Sequence, residues 1–155
     1  MRLWRLSSVR RAHSFDGGFG LVHSGRWNTA GRRVTYSSSV PSLAALEKRV
    51  HIGNPALLPP QVLVEYVLPD DFAVRRLEFN DLPADWARRE IDTQKLGDDW
   101  LDTASEDLLI VPSVIVPIAS APDRNVLINH RRPTVAHITI IAVTPFALDP
   151  RLFAT

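Results

Sequence analysis

The amino-acid sequence predicts an α+β fold, with a mixed or antiparallel central sheet and one to three flanking helices. Three observations carry this prediction. Apolar runs of strand length outnumber segments with helical spacing. Only Pro41–His51 combines helical spacing with signals at both ends. The strand-like runs do not alternate with helices as a regular βαβ array requires.

The elements follow in chain order. Met1–Ser7 reads as a short strand. Residues 13–31 read as a polar loop with five glycines (17, 18, 20, 25 and 31), a composition that lets backbone wrap close to a ligand. Arg33–Ser38 reads as a strand. Pro41–His51 reads as a helix, with Ser39 as N-cap, Pro41 in the first turn and Gly53 after the end. Its spacing puts Leu43, Leu46, Glu47 and Val50 on one face. Gln61–Leu68 alternates as a strand, with Val62, Val64, Tyr66 and Leu68 on one side. Phe72–Glu78 reads as another strand, Asn80–Asp85 as loop, and Arg88–Asp102 as a weak helix interrupted by Gly97. Leu108–Val111 is an apolar strand stopped by Pro112, and Asn125–Ile128 and Val135–Val143 are two more. Pro145 and Pro150 punctuate a tail from Thr144 to Thr155.

Composition bounds the function classes. A chain of 155 residues is the size of one domain with a real core. With 45% apolar and 23% charged residues it is globular, not disordered. It has no cysteine, so neither disulfides nor thiolate metal sites contribute, and a cytosolic setting is allowed. No run approaches the roughly 18 apolar residues of a membrane span, and the basic start Met1-Arg2-Leu3-Trp4-Arg5-Leu6 lacks a secretory apolar core. A soluble protein that is not exported is expected.

The net charge of +1 conceals an asymmetry. Seven arginines (2, 5, 10, 11, 26, 32 and 33) and a single acid, Asp16, lie in residues 1–33. A basic N-terminal third points to an anionic partner, or to arginines that merely solvate strand edges. The interleaved aromatics Trp4, Phe15, Phe19 and Trp27 are too irregular for a nucleic-acid platform, and Trp27 reads as core. Phosphate loops of the GxxxxGK[ST] type, GxGxxG turns and GxSxG elbows are missing from the sequence. The five histidines are scattered without metal-ligand spacing.

Four polar residues stand out: Arg26 in Gly25-Arg26-Trp27-Asn28, Tyr36 in Val34-Thr35-Tyr36, Glu47 on the helix and Ser113 after Val111-Pro112. They supply a cation, an aromatic face, a carboxylate and a small hydroxyl. A carboxylate on an apolar helical stripe needs a partner. An Arg bracing the core and a functional role are equally open for Glu47.

In this order, the pieces resemble the RES domain, the toxin half of a bacterial toxin–antitoxin pair. The resemblance begins at Leu3-Trp4-Arg5 and continues through Gly25-Arg26-Trp27-Asn28, Val34-Thr35-Tyr36, Ala45-Leu46-Glu47 with Val50-His51, and Val111-Pro112-Ser113. It ends with Asn125-Val126-Leu127-Ile128-Asn129 and Asp149-Pro150-Arg151-Leu152-Phe153. Residues 1–155 are therefore expected to form a single RES domain.

The resemblance implies an ADP-ribosyltransferase-like fold and NAD+ as substrate. Hydrolysis, phosphorolysis or transfer of ADP-ribose to a protein would follow cleavage of the nicotinamide–ribose bond. It implies catalytic roles for Glu47, Arg26 and Tyr36, and NAD+ contacts from all four residues, Ser113 included. Glu47 would stabilise a developing oxocarbenium ion. Arg26 would hold pyrophosphate through paired hydrogen bonds. Tyr36 would pack on nicotinamide or its ribose, and Ser113 would fix a ribose or amide group. No metal is implied. The implied partner is an Xre-type helix-turn-helix antitoxin that covers the pocket in the cytoplasm, with DNA reached only through it and no membrane involved. The sequence departs from the family at Asn129-His130-Arg131-Arg132-Pro133, where the family usually has Asn-Pro-x-His-Pro. The competing class is a basic nucleic-acid-binding or RNA-cleaving toxin that uses the arginine-rich third.

Overall fold

The computed structural model describes residues 1–153. Its strands are β1 (Arg2–Ser8), β2 (Val34–Ser38), β3 (Gln61–Val67), β4 (Val74–Arg76), β5 (Leu108–Pro112), β6 (Arg124–Asn129) and β7 (Thr139–Phe146). The helices are α1 (Phe19–Val22), α2 (Pro41–Val50) and α3 (Glu90–Thr103). The strands form one sheet in the order β4-β5-β6-β2-β1-β3-β7. Only the β4–β5 pair is parallel; the other neighbours run antiparallel. This is the mixed α+β architecture expected.

The two faces of the sheet build two cores. β5 is buried at every position, as a continuous apolar run demands. Leu108, Ile110, Val126 and Ile128 pack on one face with Leu3, Val64 and Tyr66. Leu109, Val111 and Leu127 alternate to the other face, under Trp27, Trp100 and Leu101. Helix α3 therefore covers β5 and β6 on that second face. Helix α2 lies on β1 and β2, beside it.

Several local expectations need correction. Ser39 does not cap α2. Val40 is the N-cap residue, and no side chain caps it. The Ser39 hydroxyl is spent on the loop before β6, donating to the Pro122 carbonyl at 2.5 Å and accepting from the Arg124 amide at 2.8 Å. Gly97 does not interrupt α3. A Cβ there would lie 1.8 Å from the Trp27 carbonyl oxygen, so glycine lets the helix rest on that backbone. The glycine-rich segment is not all loop, because Phe19–Val22 closes a helical turn.

The span Val135–Val143 divides. Pro133–His137 is a 3-10 turn and the strand starts at Thr139. Asp107 draws this turn inward by pairing with Arg132 at 2.8 Å and accepting from the Thr134 hydroxyl. The strand then runs to Phe146 through Pro145, which is tolerated because β7 is an edge. Phe72–Glu78 shrinks to Val74–Arg76, since Glu78 opens a 3-10 turn closed by a capping box with Asp81. The tail beyond β7 forms a further 3-10 turn at Pro150–Phe153, while residues 154 and 155 lie outside the described residues.

Candidate active site

The site begins with strand alternation. Tyr36 and Ser38 of β2 point to the α2 and α3 face, as do Val111 of β5 and Leu127 and Asn125 of β6. Ser113 follows the end of β5 and is fully buried. Helix α2 brings Glu47 onto this set. Glu47 Oε1 accepts from Ser113 Oγ at 3.1 Å and from Asn125 Nδ2 at 2.6 Å. Ser38 Oγ approaches Asn125 Oδ1 at 3.4 Å. Ser113 Oγ also accepts from the amides of Ile115 and Val116, which fixes its position.

Three features of Glu47 matter chemically. Both protein donors use the same oxygen, and no donor among the described residues reaches Oε2. No Lys or Arg among the described residues pairs with it, so the core-bracing Arg is not found. Its donors are neutral, so they orient the carboxylate without cancelling its charge. The predicted stripe does end earlier than expected: Leu43 is buried, Leu46 and Glu47 are half-buried, and Val50 is exposed.

Tyr36 and Arg26 form the other half of the site. The Tyr36 hydroxyl donates to Asn28 Oδ1 at 2.8 Å and accepts from the Trp27 amide at 3.1 Å. Burial raises its pKa far above the ordinary phenol value, against a smaller downward pull from the Trp27 amide. It therefore stays protonated, and the residue as a whole is partly exposed. The loop closes tightly here: a Cβ on Gly25 would meet the Tyr36 hydroxyl at 2.7 Å. Arg26 Nη1 donates to the Ala87 carbonyl at 3.0 Å, and Nη2 lies 3.9 Å from Glu90 at the start of α3. Thr93 and Gln94 of α3 bond the carbonyls of Arg26 and Gly25, tying the loop to that helix.

The structure thus brings Glu47 to Ser113, and brings Arg26 to Tyr36 through the Trp27 backbone. No hydrogen bond or ion pair among the described residues joins the two pairs. They lie along one face of β2, with Tyr36 and Ser38 about 7 Å apart as alternate residues of an extended strand. Sequence reasoning missed Asn125, Ser38 and Asn28 as members. A polar residue heading an otherwise apolar strand, Asn125 before Val126-Leu127-Ile128, was the available signal. Trp4, in the sequence a strand residue and one of the aromatics of the basic third, also belongs here. It is the register partner of Ser38 on β1 and shares this face, partly exposed.

The divergent loop at residues 129–133 lies at the other end of β6, since Asn129 pairs with Val34 while Asn125 pairs with Ser38. Its side chains are structural: Asn129 and Arg131 bond the carbonyl of Leu101, and Arg132 pairs with Asp107. The basic third is also largely engaged. Arg2 pairs with Glu65, Arg32 with Asp98 and Asp102, and Arg33 with Asp16, while Arg5 bonds carbonyls of Arg11 and Ser14. Among the described residues no group of three or more His, Asp or Glu is placed to hold a metal ion, and no helix is long and apolar enough to cross a membrane. Two surface cavities of about 250 and 220 Å³ include none of the four residues in their walls.

Comparison with known proteins extends this picture. The family model described as the RES domain matches residues 2–149. The chain is 37% identical over 155 residues to a Pseudomonas putida protein called Toxin Res, covering 99% of this chain and 100% of that one. It is 31% identical over 156 residues to a Sphingobium protein called Prs ADP-ribosylating toxin, covering 96% and 94% respectively. The crystal structure of the M. tuberculosis MbcT-MbcA toxin–antitoxin complex contains a chain with the same fold. It aligns with a TM-score of 0.72 at 16% identity, over 98% of this chain and 86% of that chain.

Proposed function

The chain belongs to the RES domain family, and on that premise we propose that it is the NAD+-consuming toxin of a toxin–antitoxin pair. The observation that carries the reading is Glu47, a charged carboxylate held on one oxygen by two neutral donors and free on the other. In the proposed reaction the nicotinamide–ribose bond breaks heterolytically. Its electron pair leaves with nicotinamide, which departs neutral. Positive charge develops at the ribose carbon, and Glu47 Oε2 faces it. Preorganised charge aimed at developing charge is often the largest catalytic contribution. Water or phosphate then bonds to that carbon and gives up a proton.

The remaining residues take supporting roles. Arg26 binds pyrophosphate through its guanidinium, for which a planar fork suits paired phosphate oxygens. Tyr36 presents its ring, not its proton. Ser113, with Asn125, aims the carboxylate, and Trp4 adds an aromatic wall beside Ser38. A single domain suffices for all of this.

A second reading has its own support. The similar Sphingobium protein is called an ADP-ribosylating toxin, which favours a protein side chain as acceptor at the same site. The partner in either reading is an Xre-type helix-turn-helix antitoxin that covers the site in the cytoplasm. The solved complex that contains a chain of like fold is a toxin with its antitoxin, which supports an antitoxin partner.

Purified protein incubated with NAD+, with and without phosphate and cell extract, tests the proposal. Release of nicotinamide with ADP-ribose, ADP-ribose-1″-phosphate or a modified protein identifies water, phosphate or protein as acceptor. NAD+ left intact in all arms, together with degraded RNA in arrested cells, would replace the proposal with the nucleic-acid class.

A further inference from the structure

Beyond Glu47, α2 turns a different polar surface outward. Consecutive helical residues point about 100° apart, so with Glu47 aimed at the sheet, Lys48 is carried to another side. There a cavity of about 250 Å³ opens at the C-terminal end of the helix. Lys48, His51 and Asn54 form its polar wall, and Ile52, Leu58 and Pro59 its apolar one.

Two donor groups of this wall, the Lys48 ammonium and the Asn54 amide, have no protein acceptor among the described residues. Lys48 Nζ has no acceptor among the described residues. Asn54, which lines the cavity, uses its Oδ1 to accept from the Ala56 amide at 3.0 Å, and its NH₂ group has no acceptor among the described residues. His51 Nδ1 faces the Glu47 carbonyl at 2.7 Å. A carbonyl only accepts, so Nδ1 carries a hydrogen, and Nε2 becomes a donor whenever the ring is protonated. No carboxylate lines the cavity.

The side-chain charge around the cavity is positive, and it is set against the negative end of the α2 dipole. Burial depresses the Lys48 pKa, and the positive charges of Arg11 and Arg5 depress it further. Arg5 spends its Nη2 on carbonyl groups and so keeps its full charge. Arg10 and Arg11 are exposed, with no carboxylate partner among the described residues. Like charges held together without a counter-ion destabilise the free protein, and a bound anion relieves that.

We propose that this cavity binds a phosphate group, either free inorganic phosphate or a phosphate monoester whose organic part rests on Ile52, Leu58 and Pro59. A tetrahedral group with several acceptor oxygens can bond the Lys48 ammonium and the Asn54 amide at once, and a chloride ion cannot do so in the same way. The site is separate from the carboxylate face and stands independently of the NAD+ reading.

The test is an amide NMR titration of the full chain with sodium phosphate, against sodium chloride at equal ionic strength. Saturable shifts confined to residues 48–59, present with phosphate and absent with chloride, are expected. Lys48→Gln should weaken binding roughly tenfold or more, and Lys48→Arg should stay within a few-fold of the parent. Ribose 5-phosphate binding more than about tenfold tighter than phosphate identifies a monoester site; equal affinity identifies a site for the free anion. Equal shifts with chloride, shifts centred elsewhere, or parent-like phosphate affinity in a folded Lys48→Gln protein would overturn the proposal. The map on the parent protein decides even if Lys48→Gln does not fold.

Discussion

Replacing Glu47 with Gln separates charge from shape. The amide oxygen can take the place of Oε1, facing Ser113 Oγ and Asn125 Nδ2, while the NH₂ group occupies the position of the unpartnered Oε2. Volume and both hydrogen bonds survive. A hydrogen bond to a charged acceptor contributes about 1.5–3 kcal/mol, and one between neutral groups about 0.5–1.5. Two bonds weakened by about 1 kcal/mol each give a loss of about 2 kcal/mol, less whatever is recovered by no longer half-burying a charge. For a chain of this length that is a fall in melting temperature of at most roughly 4–8 °C. Turnover should fall far more. Loss of one preorganised electrostatic element costs about 2.7–4 kcal/mol of transition-state stabilisation, or roughly 100- to 1000-fold in rate. Nicotinamide release per folded molecule measures the second effect, calorimetric melting the first, and titration calorimetry checks that NAD+ still binds. A Glu47→Gln protein that melts early but turns over NAD+ at the parent rate per folded molecule would show that the carboxylate only braces α2.

Other residues give further expectations. Arg26→Ala should weaken NAD+ binding roughly ten- to hundred-fold, and Arg26→Lys should recover little because an ammonium lacks the planar fork; unchanged affinity by titration calorimetry removes Arg26 from the site. Gly97→Ala should lower stability by about 1–3 kcal/mol or more, since its Cβ meets the Trp27 carbonyl oxygen at 1.8 Å and carbon at 2.7 Å, both backbone. The same shift should displace Arg26, so a parent-like melting temperature refutes the packing. His130 bonds Thr35 at 2.8 Å, and burial lowers its pKa from 6.5 to about 4. The unfolded chain therefore binds a proton that the folded one does not between those values, so stability falls as pH drops through that window and levels off below it. At about 1.4 kcal/mol per pH unit, up to about 3 kcal/mol is at stake. His130→Gln should flatten that limb in urea unfolding at pH 4.5 and 7, and an unchanged slope would assign the acid sensitivity elsewhere.

What could be read from the sequence was what depends on local period. β5 and β6 are short apolar runs whose burial is nearly complete, and α2 has a proline start and helical spacing, so each is visible in its own residues. What could not be read depends on contacts across the chain. Ser39 has the composition of an N-cap, yet a partner 83 residues away takes its hydroxyl. Gly97 looks like a helix breaker until the Trp27 backbone arrives against it. Glu47 announced that it needed a partner, but Asn125 is 78 residues distant and looks like the polar edge of a strand. Membership of Arg26, Tyr36, Glu47 and Ser113 in one set came from resemblance; their division into Glu47 with Ser113, and Tyr36 with the Arg26 loop, came only from the folded contacts.

That division has a physical logic. A direct Arg26–Glu47 ion pair would satisfy both charges, leaving neither for a ligand, and a half-buried pair of that kind contributes little net stability. The fold keeps them apart instead. Arg26 is anchored to the Ala87 carbonyl near the start of α3, where Glu90 lies at 3.9 Å, and its loop is fixed by Thr93 and Gln94. Glu47 is anchored from α2, whose last turn is itself tied to the chain end by Arg49, donating to the Leu152 carbonyl at 2.7 Å and lying 4.4 Å over the Phe153 ring. Glu47 is thus held by neutral groups, and Arg26 by a carbonyl with the Glu90 carboxylate at 3.9 Å, on different helices with β2 as the spacer between them. A ligand with negative charge at one end and developing positive charge at the other is the partner such an arrangement leaves unsatisfied, and a dinucleotide losing nicotinamide is a ligand of that description.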